Sequence, residues 1–392
     1  KEFNKIINLN NNFKFKRIPT VKSTDWKDIF YNEENTSENF QFGGSYEVNF
    51  KSQKLTRHLL NNKILYIEDF LIISDIKGNL ITYSINRKKI LNKYNFYKKK
   101  IKNTKIILNY MARDNLLYVT DNQGYIYAYD YKKNLIIWAK KFKVPIRSNL
   151  KISQKKLFSV DQNNNLIIID INNGKILKRL PTEEILFKND FQNNLAVGGK
   201  NIFLLNTFGT LYSINLSNFK INWFLNLNSS LNQDLSNLFY AKTTKVLNNR
   251  LIVSTNNDLF IIDKLSGTYI SRSSIKSIVD PIKYGNYIFL LNKNNLLVAL
   301  NTTDGKVIYT KFIDKEILNL LNLKNKKIKV ESIKIINNEL IFFLNDKIII
   351  TYDIRGKIKK ATFLDTKISS DIIFSSNKML FLDHKNKLVI LN

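Results

Sequence analysis

The sequence predicts an all-β protein: an eight-bladed β-propeller of four-stranded antiparallel blades, with seven blades as the alternative. Three observations predict it. A turn-forming residue recurs eight times, at Gly78, Gly124, Asn164, Gly209, Asn257, Asn295, Asp346 and Asn386, at intervals running from 38 residues (Asn257 to Asn295) to 51 (Asn295 to Asp346). Apolar, strand-like runs flank each of these turns. A second turn signal follows ten residues after most of them, and Trp138, Trp223 and Tyr309 follow after fourteen.

The first turns are all Gly, Asn or Asp, the residues that best tolerate a positive φ in a tight hairpin. The runs before them include "DFLIISD", "NLLYVTD", "NIFLLN" and "RLIVST". The runs after them include "GNLITYS", "GYIYAYD", "GTLYSIN" and "NDLFIID". β-branched and aromatic residues dominate both sets. Their nearly continuous apolar character predicts burial on both faces, between neighbouring sheets. A further strand fits before each unit, as in "NTKIILN" from Asn103 to Asn109.

Six residues after the first turns stand Ser84, Asp130, Asp170, Asn215, Asp263, Asn301, Tyr352 and Asn392. All but Tyr352 suit the start of a turn. The second turns then fall at Lys88, Asn134, Gly174, Phe219, Gly267, Gly305 and Gly356. The seventh unit, at Asp346, is the least regular.

The chain ends at Asn392, before the eighth unit can form its outer strand. A propeller must close its ring to remove sheet edges, so an N-terminal segment is expected to complete the last blade. The candidates are "SYEVNF" at Ser45 to Phe50 and "FKFKRI" at Phe13 to Ile18. Residues 1–50 are therefore read as a leader with the ring-closing strand, and 51–392 as one propeller domain.

Composition bounds the function. With 44% hydrophobic residues, a large core is expected. No apolar run is long enough for a membrane-spanning helix. Cysteine is absent, which removes disulfides and thiol chemistry within these residues. The formal charge of +30 raises a nucleic-acid or anionic-membrane partner, but the lysines fall in turns and at strand ends, including Lys98 to Lys100, without forming a stripe. "NKYNFYKKKIKNTK" is the best aromatic and basic stretch, and its Tyr94, Phe96 and Tyr97 also fit an outer strand and its exit loop. No nucleic-acid partner is therefore expected. His58 and His384 show no ligand-like spacing, and no nucleotide loop or catalytic triad is visible. No catalytic residue, metal or cofactor is expected.

The pattern Gly124, Ile126, Ala128, Asp130, Asn134 and Trp138 resembles the PQQ-like repeat. It recurs as Gly209, Leu211, Ser213, Asn215 and Trp223, and as Leu297, Ala299, Asn301, Gly305 and Tyr309. The resemblance covers roughly Asp69 to Asn392. Within that superfamily the chain is most similar to the BamB family of outer-membrane protein assembly factors. The leader "RIPTVKSTDWKDIF…ENFQFGGSYEVNF" and the segment "LFKNDFQNNLAVGGKNIFLLNTFGTLYSI" carry that similarity.

This resemblance implies a non-enzymatic scaffold in the periplasm, held at the outer membrane by a lipidated cysteine, here expected upstream of Lys1. It implies binding to the periplasmic domains of the barrel-assembly protein BamA and help in inserting unfolded outer-membrane proteins. The docking loop would be Ile185, Phe187 and Lys188. A following loop that is acidic in the family reads "FYAKTT" here, with Tyr240 and Lys242 in its place. Two other readings stand beside the scaffold: a PQQ-dependent quinoprotein dehydrogenase, and a basic interaction platform for protein or nucleic acid.

Overall fold

The computed structural model describes residues 3–97, 104–183, 191–228, 239–324, 326–345 and 347–392. These residues form eight antiparallel blades. Blade 2 shows the plan: Leu108–Arg113, Leu116–Asp121, Tyr125–Asp130 and Leu135–Lys141, each strand paired to the next. The first strands of neighbouring blades lie against one another, as Lys151–Ser153 does with Asn194–Gly198, and so surround a central axis. The third strands are buried almost throughout, and the outermost strands alternate between exposed and half-buried residues.

The apolar runs become these middle strands because each is covered on both faces by adjacent blades. Leu71, Ile72 and Ile73 are successive residues pointing to opposite faces, and all three are fully buried. At about 25 cal/mol per Å² of apolar surface, this stacking is the main source of stability.

The turn expectations hold at most positions. Gly78, Gly124, Asn164, Gly209, Asn295 and Asn386 take positive φ. So do all seven second turns, including Lys88 and Phe219. Two units differ. In blade 5, Thr255 N–H donates to Asp258 O, whereas in blade 1 Asp75 N–H donates to Asn79 O. That turn is one residue shorter, and Asn257 needs no positive φ. In blade 7 the positive φ falls on Lys347, and Asp353 rather than Tyr352 accepts the next turn's amides, from Arg355 and Lys357. Asp346 itself lies outside the described residues; the residues after it are shifted by one position relative to the other blades.

The further strand expected before the second unit, which is the innermost strand of blade 2, begins later than "NTKIILN" suggests. The strand is Leu108–Arg113, while Ile106 only bridges to Lys77 in blade 1.

Val48–Lys54 closes the ring, pairing antiparallel with Lys387–Leu391 as the outer strand of blade 8. Of the two closing candidates, Ser45 to Phe50 is thus correct. Phe13 to Ile18 packs elsewhere: Phe15 stacks edge-on to Tyr287 and Tyr309 of blade 6.

The leader also does something no sequence pattern announced. Residues 21–42 thread the central channel. Trp26 exchanges backbone hydrogen bonds with Tyr66 of blade 1, and Lys27 O accepts from Ala112 of blade 2. Lys151 of blade 3 reaches Asp28 and the Asn32 carbonyl. Glu33 O and Glu34 O accept from Val197 of blade 4 and Val246 of blade 5. Asn39–Phe40 pairs parallel to the inner strand Val330–Ile336 of blade 7, adding a fifth strand to that sheet. Trp26 Nε1 donates to Phe374 O of blade 8. The inner strands thus find backbone partners where they would otherwise face an open channel.

Candidate functional site at the channel mouth

The leader fills the channel toward the ends of the inner strands. The opposite mouth, where those strands begin, stays open as a cavity of about 520 Å³. Its rim carries Phe191, Tyr240 and Lys242, and its walls carry Asn61, Asn149 and Asn193. The wall residues stitch neighbouring blades. Asn61 Nδ2 donates to Leu108 O, Asn149 Nδ2 to Leu195 O, and Thr243 N–H to Asp280 Oδ1. A polar side chain near the start of an inner strand therefore satisfies the backbone of a neighbouring blade.

Below the rim, ammonium and carboxylate groups face each other. Lys63 pairs with Asp371 at 2.9 Å. Burial works against the Lys63 ammonium, but Asp371, with Asp280 and Asp28, more than offsets it and raises the pKa. Burial also works against the Asp280 carboxylate, yet Lys245, Lys63 and the Thr243 amide hold its pKa below the ordinary value. Burial lowers the pKa of Lys245 and of Lys334. Among the described residues no group of three or more His, Asp or Glu is placed to hold a metal ion. The His384 ring lies 3.4 Å from the Thr366 hydroxyl.

The predicted site residues divide. Ile185, Phe187 and Lys188 lie outside the described residues. Their flanks are described and both are anchored. On one side, Glu183 accepts from Asn206 Nδ2 at 2.8 Å, Thr210 Oγ1 at 3.0 Å and the Tyr212 hydroxyl. On the other, Phe191 packs edge-on against Phe239 and Tyr240, with centroids 5.4 and 6.0 Å away. Tyr240 is 46% exposed, and the Lys242 ammonium lies over its ring at 5.7 Å. Blade 5 fixes both residues, through Asn256 N–H to Tyr240 O and Lys242 N–H to Ser254 O. Tyr240 and Lys242 therefore share one rim with the anchored end of the predicted loop.

The family described as outer membrane protein assembly factor BamB matches residues 100–259. BamB from Moraxella catarrhalis superposes with a TM-score of 0.65 at 13% identity, covering 86% of this chain and 98% of that one. The chain is a BamB-like propeller of PQQ-type repeats.

This BamB-like propeller is also 23% identical over 282 residues to "Uncharacterized protein RP232" of Rickettsia prowazekii (strain Madrid E), over 70% of this chain and 67% of that protein. The computationally designed Ika8 protein superposes with a TM-score of 0.61 at 11% identity, covering 87% of this chain and 99% of that one. Backbone likeness at such identities carries the fold and leaves function to the sites. The family match spans Glu183, Phe191, Tyr240 and Lys242, so it includes the rim and both flanks of the predicted docking loop.

Proposed function

We propose that this BamB-like propeller is a non-enzymatic scaffold subunit of the outer-membrane β-barrel assembly machinery. It works in the periplasm, associated with the outer membrane. Its partner is a BamA-like protein whose periplasmic domains dock on the rim formed by Ile185, Phe187, Lys188, Tyr240 and Lys242. The observation that carries this reading is the BamB family match over residues 100–259, which contains that rim.

The geometry supports a rigid platform. The leader ties together the inner strands of blades 1 to 5, 7 and 8, so the rim is held by a braced ring. Aromatic and cationic groups at one edge fit a partner surface with apolar and acidic groups. Unfolded outer-membrane proteins are the second class of partner. The outer strands leave one edge unpaired and expose Leu135, Ile137 and Phe224, a surface on which an extended segment can add as a strand.

The test is a pulldown from detergent-solubilised envelope at about 0.3 M salt, where screening suppresses pairing by charge alone. Recovery of a barrel-assembly protein with periplasmic domains supports the scaffold. Recovery of nucleic acid or anionic lipid alone overturns it in favour of the basic platform.

A further inference from the structure

The open mouth of the channel carries more than the docking rim. Seven of the twenty residues lining its cavity of about 520 Å³ are Asn or Gln, and they fall into two groups. Four serve the fold. The amides of Asn61, Asn149 and Asn193 donate to Leu108 O, Leu195 O and Asp161 O, and Asn194 Oδ1 accepts from Thr244 N–H. The other three, Asn62, Asn109 and Gln192, make no side-chain hydrogen bond among the described residues. They come from different blades. Asn62 precedes the inner strand Leu65–Ile67 of blade 1, Asn109 lies on the inner strand of blade 2, and Gln192 precedes Asn194–Gly198 of blade 4. Tyr240 adds an exposed ring from blade 5, and Ile29 and Phe30 of the leader line the lower end.

The charges around this cavity are matched. Lys63 pairs with Asp371, Glu331 pairs with Lys329 at 2.9 Å, and Asp280 faces Lys245 and the Thr243 amide. The charged lining residues are two lysines, Lys63 and Lys242, one aspartate, Asp280, and one glutamate, Glu331, so the cavity has no net charge with which to select an ion. What it offers is neutral. Each free amide carries two donors and an acceptor. Amides converging from several blades around one axis suit a ligand whose hydroxyls radiate from a ring, each both donating and accepting. An extended peptide presents its groups along a line instead, and the leader at the lower end stops it from threading. The volume falls within the range of about 300–1,000 Å³ usual for small-ligand sites.

We propose that the channel mouth binds a neutral saccharide end-on, as one or two sugar rings, with its hydroxyls on Asn62, Asn109 and Gln192 and its apolar face toward Tyr240. The leader makes the floor, so the site exists only when the leader is threaded. This site does not rest on the scaffold reading, and of the residues assigned to the docking rim it uses Tyr240 alone.

The experiment is isothermal titration calorimetry of the purified full chain with cellobiose, maltose and N,N′-diacetylchitobiose. The expected result is saturable one-to-one binding of at least one of them, equal at about 0.05 M and about 0.5 M salt because the ligand carries no charge. Asn62→Ala and Asn109→Ala should each weaken it by about threefold to tenfold, the worth of a lost hydrogen bond. Neither should lower the melting temperature, since these amides bond nothing in the fold. Co-sedimentation with insoluble cellulose or chitin, competed by the matching disaccharide, assigns the ligand as the end of a glycan chain. Disaccharide binding without co-sedimentation assigns it as a free sugar. No saturable binding of any of the three, full affinity in the double variant, or displacement of the sugar by triglycine overturns the site. Asn62 and Asn109 are not docking residues, so loss of saccharide binding and loss of partner docking are read separately.

Discussion

Trp138 of blade 2 covers Gly174 of blade 3, so closely that a Cβ on the glycine would come within 2.7 Å of the ring, and its indole N–H donates to the Ile171 carbonyl in the same outer hairpin. Trp223 stands in the same way over Gly267 and donates to Lys264 O, and Tyr309 stands over Gly356 and donates to Ile354 O. The aromatic fourteen residues after one blade's first turn thus docks on the glycine ten residues after the next blade's first turn. In blade 5 the position is Ser271, and its side chain covers Gly305. The sequence period is a blade-to-blade clamp.

Gly174→Ala should therefore destabilise the ring by about 2–4 kcal/mol. It combines a positive φ of 71° with a clash against a ring that is itself hydrogen-bonded. Gly199, at φ 65° with nothing within 4 Å of its Cβ position, separates the two terms. Gly199→Ala should cost only the strain of about 1 kcal/mol. Urea midpoints of both variants check this, and equal losses would show that the clamp adds nothing.

The second prediction concerns the buried pair between leader and ring. Lys151 Nζ meets Asp28 Oδ2 at 2.5 Å with both side chains essentially inaccessible. Burial lowers the Lys151 pKa against the pull of Asp28. Lys151→Ala should cost about 3–5 kcal/mol because it strands the Asp28 charge. The double variant Lys151→Met, Asp28→Asn should recover most of that. Trypsin cleavage after Lys22 and Lys27 reports whether the leader has left the channel. If the double variant is cut as fast as the single one, the charge was not the cause.

What was legible follows from which interactions repeat. The turns, the middle strands and the ring closure recur or complete a pattern, so spacing alone locates them. The sequence also held a signal that went unread. Three residues before six of the first turns stand Asp75, Asp121, Asp161, Asn206, Asn292 and Asp383. Each accepts from the amides two and four residues on, as Asp121 does from Gln123 and Tyr125. Thr255 takes over this part in the shortened turn of blade 5. The threading of residues 21–42 was not legible. It rests on a few contacts to each of seven blades, different in kind from blade to blade, and contacts that do not recur leave no period. The lysines of the channel were hidden for a related reason: Lys63, Lys245 and Lys334 converge only when the ring closes.

Ring closure should be acid-sensitive. Lys51 of the closing strand pairs with Asp383 of blade 8 at 3.0 Å. Burial would raise the Asp383 pKa, but the Lys387 and Lys385 amides and the Lys51 ammonium hold it below the ordinary value. A carboxyl lowered in the folded state adds stability above its unfolded pKa of about 4 and loses it as the pH falls through the lower folded value. Lys51 is over a third exposed, so the pair itself is worth about 1 kcal/mol or less. Asp383→Asn keeps the turn acceptor and should be less stable at pH 7 yet flatter between pH 4 and pH 2. Proteolysis near residues 45–54 against pH measures it, and parallel profiles for the two proteins would reject the clasp.

The last prediction separates docking from positioning at the rim. If Phe187 and Lys188 carry the partner contact, Phe187→Ala with Lys188→Ala should weaken binding to the periplasmic domains of a BamA-like protein by about tenfold or more, without moving the melting temperature. Glu183 acts differently, because its carboxylate is held by Asn206, Thr210 and Tyr212 of the blade behind it. Glu183→Ala removes the anchor and leaves the Tyr212 hydroxyl without its acceptor, so it should lower stability by about 1–3 kcal/mol as well as affinity. Glu183→Gln retains an acceptor and should recover much of both. Tyr240→Ala tests the neighbouring loop in the same assay. Surface plasmon resonance with melting curves on the four variants decides the matter. Full affinity in the Phe187, Lys188 double variant would move the docking site off this loop, and full affinity in Glu183→Ala would show that its anchored flank does not position the contact.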